Sequence, residues 1–555
     1  MPMTAEFLDY SMPNTAYLSA QSIHANLTKP FVAINTKSLK TKMAVFMISS
    51  CVMPFAIANT NNFLVYPKTA SATSPAQSWQ GQWATSQQSD GLIDNQQSLM
   101  IGEWALRQIN QQAPLIDDPW VQDSLQTIIW QINAVARPEA PSALVIINDR
   151  QINAFAVPSG LIGLNVGLVD KARTMDELAS VISHEIAHVS QRHYQHRNDE
   201  KTKQLLMQAG GMLAGIVAAK ASNSNTGTAV MMGSQAISAN SVASFSREQE
   251  READRIGMQI MAQAGYDVTA MPSFFATLDQ QNPVKANAFI PSFVMSHPLT
   301  AERLSEARSR AMTYQQSNKT SVLNSSTQRH RQQIFDQLQW RIRYLAHLTN
   351  KNDLKQSAKT SDGAKLALAM QLMDERAYLE AQNVLQPLKP QIADFSNPLA
   401  VIVDATLNQK LGKTELAISQ LTTLMNLLPE RRDVKLYLSK IYLEQANVDN
   451  ASKVLQLLQP LSKTYPKDLL IWQYLQQASQ VLSKNTTGSS KTLHEINVLR
   501  YRANREFWQN QLNEAITSLT QAQSLAKTLP QNTALLATIN QQMSQVQQAN
   551  QFTPD

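Results

Sequence analysis

The chain has 555 residues, 43% of them apolar and one of them cysteine, with a formal net charge of +6. That length exceeds what one hydrophobic core usually supports, so two folded domains with connecting segments are expected. Lys and Arg are spread along the chain without dense blocks, which argues against a nucleic-acid surface or a polybasic membrane patch.

Lys37, Lys40 and Lys42 precede the apolar run 43–58, which ends in Ala56-Ile57-Ala58. This is the basic, apolar, small-x-small order of a secretory signal, and it predicts cleavage after Ala58. The run is short for a membrane span and Pro54 interrupts it, although the segment ahead of it is long for a signal. No other stretch is long and apolar enough to cross a bilayer, so the mature chain should have no transmembrane span. Cys51 lies within the signal; an alternative reads Ile48-Ser49-Ser50-Cys51 as a lipoprotein cleavage box. Residues 59–97, rich in Ser, Thr, Gln and Asn, read as a flexible leader.

Residues 100–134 read as helical, 143–147 as a buried strand, and 154–157 as a second strand stopped by Pro158-Ser159-Gly160. Thr174 with Glu177, and Ser246 with Gln249, each have the spacing of a capping box at a helix start, the second helix running to about Ala264. From about residue 360 the pattern becomes paired helices without strand signals. Ala381, Ala417, Ala451 and Ala515 mark similar second-helix positions, the first three separated by 36 and 34 residues. This resembles tetratricopeptide repeats, with an irregular helical bundle as the alternative. The expected class is α+β, mainly α: a domain with a small sheet over 98–320, a helical connector over 321–360 and a repeat domain over 361–550.

The segment 181–196 holds four of the nine histidines. His184-Glu185-Ile186-Ala187-His188 fits HExxH: histidines four apart share a helix face and converge on one ion, with the glutamate beside it. Gln191 and Tyr194 stand where an extended HExxHxxGxxH motif needs Gly and His, which excludes that arrangement. His193 and His196 lie on other faces or farther along, suiting them to outer or exposed roles. The better third ligand is Glu250 in the 246–255 segment, with Asp254 on the same face to orient a ligating histidine and Ala253 between them allowing close helix packing.

HEIAHVSQRH, EREADRIG from Glu250, NAFAVPSG from Asn153, and Ser296-His297-Pro298 followed by Arg303 together resemble the zinc metallopeptidase family that includes the CAAX prenyl proteases and heat-shock protein HtpX. With a secretion signal and a following repeat domain, the chain is most similar to the periplasmic branch that acts in outer-membrane β-barrel assembly. Ser159 departs from the pattern, which commonly has glycine there. The resemblance implies a zincin-like fold and one Zn2+ held by His184, His188 and Glu250. It implies Glu185 as general base, Asp254 and Arg303 as supporting residues, and His297 near the zinc. His297 would be either an oxyanion donor or a fourth ligand that keeps the enzyme off; a structural histidine before a proline turn is the plain alternative. Asn153, Ala154, Phe155, Ala156 and Val157 would pair with an extended substrate along a sheet edge. The Gly-rich span 205–246, between the two ligand helices, is expected to be a mobile lid. The partners implied are misfolded outer-membrane β-barrel proteins and the barrel assembly machinery. The competing function is a repeat-based chaperone or adaptor with a structural or rarely active metal site.

Overall fold

The computed structural model describes residues 91–136, 143–157, 159–191, 245–280, 292–317 and 325–553, all within one compact unit spanning 61–555. The signal segment, Cys51, His193, His196 and nearly all of the expected lid lie outside these residues.

The helical stretch expected over 100–134 consists of two helices, α1 (Gly91–Gln112) and α2 (Pro119–Ala136), with a break between them. Proline chemistry breaks it. Pro119 lacks an N–H and so suits the first helical position, while Asp118 accepts a hydrogen bond from Val121 N–H at 3.0 Å. Between the helices, Leu115 forms an antiparallel bridge to Ile147.

Three strands follow: β1 (Ala143–Ile147), β2 (Ala154–Val157) and β3 (Leu161–Asn165). The first two match the sequence expectation. The third was not anticipated, because its unbroken apolar run passes directly into α3 (Val166–Lys171) with no turn signal between. Its burial explains the composition: β3 is covered on both faces and central, parallel to β1 and antiparallel to β2. The Leu115 bridge covers part of the outer edge of β1, whereas β2 is an edge strand whose outer side has no strand paired to it among the described residues.

Helix α4 (Met175–Ser190) packs against β2, α2 and the next two helices, α5 (Arg247–Gln263) and α6 (Ala270–Gln280). At its start Thr174 accepts from Glu177 N–H at 3.1 Å, but the Glu177 carboxylate turns to Arg173 and Ser273 instead of closing the box. The box at Ser246 is complete: Gln249 N–H donates to Ser246 Oγ at 3.2 Å and Ser246 N–H donates to Gln249 Oε1 at 3.0 Å. Ala253 is fully buried at the α4–α5 crossing. Gly257 sets the distance of closest approach, since a Cβ there would lie 3.1 Å from the His184 backbone.

Helices α7 (Ser292–Ser296), α8 (Ala301–Ser317) and α9 (Ser325–Leu345) lead into a succession of helices, each packed on its neighbour, ending at Thr533–Gln551. Ala381, Ala417, Ala451 and Ala515 are all buried on the second helices of pairs. Five positions before each, Arg376, Gly412, Ala446 and Asn510 take positive φ at the turn between paired helices. The same backbone device at the same offset is consistent with a repeat domain.

This helical half packs onto α1 and α2. Arg341 of α9 binds Asp118 through two hydrogen bonds of 2.9 and 2.7 Å and also donates to Tyr437 Oη. Arg432 pairs with Asp123 at 2.7 Å, and Asn110 donates to the Trp508 carbonyl. One continuous apolar core runs beneath these contacts.

Candidate metal centre

The spacing of four on α4 brings His184 Nε2 and His188 Nε2 to within 3.1 Å of each other. The capped start of α5 delivers Glu250, whose Oε1 is 3.4 Å from His188 Nε2 and whose Oε2 is 3.5 Å from His184 Nε2. The turn after α7 adds His297, with Nδ1 2.9 Å from Glu250 Oε1 and 3.3 Å from His184 Nε2. One ligand atom from each of these four buried residues lies within 4.8 Å of the others.

Charge explains why a cation suits this cluster. Asp254 Oδ1 sits 3.0 Å from His184 Nδ1, which holds a proton on that nitrogen and turns Nε2 towards the cluster. Burial opposes a charge on His184, but Asp254 and Glu250 outweigh it and push the imidazole up to about 9. Burial holds His188 well below its ordinary value, so it is neutral and its nitrogens can coordinate. Burial would raise the Glu250 carboxyl, but the charge of His297 and hydrogen bonds from His184, His188 and His297 hold it well below the carboxylate range. The raised pKa of His184 shows that the acidic groups around it favour a positive charge at this point, and imidazole with carboxylate is a donor set that suits zinc once a cation takes the place of the Nε2 proton. The residues present therefore fit a metal.

Glu185 lies on the cluster's flank. Both its oxygens are buried without a well-aligned hydrogen bond, and burial raises its carboxyl despite the opposing charges of His297 and His184 and the nearby Ala156 amide. His297 Nε2 is 3.4 Å from Glu185 Oε1, so this one ring spans the ligand set and the carboxylate. Glu185 therefore stands next to β2, whose outer edge is the expected substrate track.

Arg303 is buried and joins the supporting groups. It binds Asp254 through Nε and Nη2 at 2.7 and 2.8 Å, Glu250 Oε2 through Nη1 at 2.7 Å, and the Pro298 carbonyl at 2.9 Å. Sequence reasoning missed two contributors: Gly257, and Phe245, whose ring stacks on His188 with centroids 3.9 Å apart. A glycine one turn beyond Ala253 was a usable signal for the first; nothing local marks the second.

The helix, the histidine pair and the flanking glutamate define an HExxH metallopeptidase. The profile of Peptidase family M48 matches residues 116–311. The chain is 30% identical over 393 residues to the "Beta-barrel assembly-enhancing protease" of Yersinia pestis, covering 69% of this chain and 77% of that one. It is 28% identical over 443 residues to the protein of the same name from Escherichia coli strain K12, covering 78% and 84%. "Mitochondrial metalloendopeptidase OMA1" of Arabidopsis thaliana is 26% identical over 193 residues, covering 34% and 37%. The chain belongs to peptidase family M48 and is a metalloprotease of the kind those first two relatives represent.

Proposed function

We propose that the chain is a periplasmic zinc endopeptidase that hydrolyses peptide bonds of misfolded or stalled outer-membrane β-barrel proteins, with its helical half binding clients or the assembly machinery. The observation that carries the reading is the convergence of His184, His188 and Glu250 with Glu185 poised beside them. The signal-like segment 37–58 and the names of the relatives support the location and client class. No helix among the described residues is long and apolar enough to cross a membrane.

Bound zinc supplies Lewis acidity and lowers the pKa of water. The chain's own residues do the rest. Asp254 and Arg303 fix the His184 ring and the Glu250 carboxylate. An extended substrate pairs with the outer edge of β2, which lays its scissile carbonyl near Glu185. Glu185, whose carboxyl burial raises above its ordinary value, takes a proton from the attacking water and passes it to the leaving amine.

His297 acts as a gate. Its Nδ1 faces the ligand set while its Nε2 faces Glu185, so in this position it competes both for the metal and for the base. His297→Ala should cleave substrate or itself more readily than wild type; an inactive variant that still holds zinc would make His297 an oxyanion donor instead.

Elemental analysis of the mature protein should find one zinc per chain and much less in Glu250→Ala, while Glu185→Gln keeps zinc and loses hydrolysis. Full restoration of outer-membrane integrity by Glu185→Gln would sink the protease reading and favour a repeat-based chaperone or adaptor.

A further inference from the structure

His297 is held by more than the groups it would share with a metal. Its ring stacks against two phenylalanines: Phe293, with centroids 4.7 Å apart and planes 28° from parallel, and Phe245, at 5.3 Å and 27°. Phe245 continues the stack onto the ligand His188, at 3.9 Å and 29°. Four rings thus run in the order His188, Phe245, His297, Phe293. All are buried.

The backbone ties the same residues together. Phe245 N–H donates to the Ser296 carbonyl at 3.4 Å and His297 N–H donates to the Phe293 carbonyl at 2.8 Å. Phe293 N–H in turn donates to Ile152 O at 3.3 Å, in the approach to β2. Phe293 therefore connects the stack to the strand along which substrate is proposed to pair, and Phe245 connects it to the start of the helix that carries Glu250.

We infer that Phe245 and Phe293 are positioning residues that clamp the His297 ring in its closed place, so that the strength of ring stacking sets the fraction of enzyme whose gate is shut. Two flat rings lie 28° and 27° from parallel to the imidazole and within stacking distance of it. Moving His297 away from Glu250 and Glu185 breaks stacking with Phe245, Phe293 or both, in addition to any bond to the metal. A substrate that displaces the stretch before β2 pulls on Phe293 through Ile152, and so loosens the clamp from the side on which substrate arrives. Losing one aromatic pair should shift the closed-to-open ratio about two- to tenfold.

The inference rests on the gate reading above, and cobalt(II) substituted for zinc in the mature full-length chain tests the two separately. The visible absorption of cobalt reports how many ligands it has and depends on no substrate. If His297 is a fourth ligand, His297→Ala changes the spectrum. If the clamp holds it there, Phe245→Leu and Phe293→Leu, which keep apolar volume but lack a ring, shift the spectrum towards that of His297→Ala, and Phe245→Tyr does not. With zinc bound, both leucine variants should cleave peptide faster than wild type, and Phe245→Leu combined with His297→Ala should be no faster than His297→Ala alone. A changed spectrum in His297→Ala with wild-type spectra in both leucine variants would overturn the clamp and leave the gate standing. An unchanged spectrum in His297→Ala would remove the gate and the clamp with it. Loss of metal or of folding in both leucine variants, with the tyrosine variant normal, would mean that the rings are structural packing and would also overturn the proposal.

Discussion

Asp254 is the residue whose role is clearest from its surroundings alone. It faces His184 Nδ1 on one side and takes the Arg303 fork on the other, and Arg303 with His184 holds its carboxyl below the ordinary value despite burial. Asp254→Ala should weaken metal binding by about 10- to 100-fold, measured by chelator competition, because the imidazole loses the partner that sets its tautomer and orientation. Ser159 gives a prediction of the opposite sign. It is the third residue of the turn closed by Gly160 N–H to Val157 O, and its φ of 91° belongs to glycine. Ser159→Gly should therefore stabilise the protein by about 1 kcal/mol in thermal unfolding. The spacing of His184, Glu185 and His188 was legible because it is a property of one helix, and Glu250 was marked as a candidate by its place in the capped first turn of a second helix. Phe245 and Gly257 were not, since what matters about them is what a different segment places against them.

At the scale of elements, agreement followed local chemistry. The strands Ala143–Ile147 and Ala154–Val157 were readable from apolar runs bounded by turn residues, and the caps at Thr174 and Ser246 from side chains that reach their own backbone. The run 100–134 was readable as helical but not where it breaks: its apolar pattern is nearly continuous, while Pro114 and Pro119 redirect the backbone towards Ile147. The repeat pairs yield a test of their own. Arg376, Gly412, Ala446 and Asn510 occupy equivalent left-handed positions, yet only one is glycine. Ala446→Gly should raise stability to urea by about 1 kcal/mol, the approximate strain of an L-residue there. No gain would mean that the turn relaxes to accommodate alanine.

Across the whole molecule, the helical half and the metallopeptidase half are joined by buried charge. Burial raises the Asp118 carboxyl, but Arg341, the Val121 amide and Tyr437 outweigh it, so its folded-state value lies below the ordinary one. A depressed carboxyl contributes stability that is fully present above its unfolded value of about 4 and is lost as pH falls through the lower folded value. The unfolding midpoint of wild type should therefore fall on acidification below about pH 4 more steeply than that of Asp118→Asn. At neutral pH the same variant should be less stable by about 3–5 kcal/mol, because Arg341 is left buried without its counter-charge. Equal acid profiles would show that the seam does not depend on this pair. Helical periodicity and capping were enough to mark a helix with metal-binding spacing, a candidate third ligand on a second helix and a half made of paired helices, because each is written within a few turns of chain. The sheet order that leaves β2 open beside Glu185, the stacking of the His297 ring with two phenylalanines, and the seating of the paired helices on α1 and α2 depended on long-range packing. Residues far apart in the chain meet there only after the core has closed, and no local periodicity records which of them will touch.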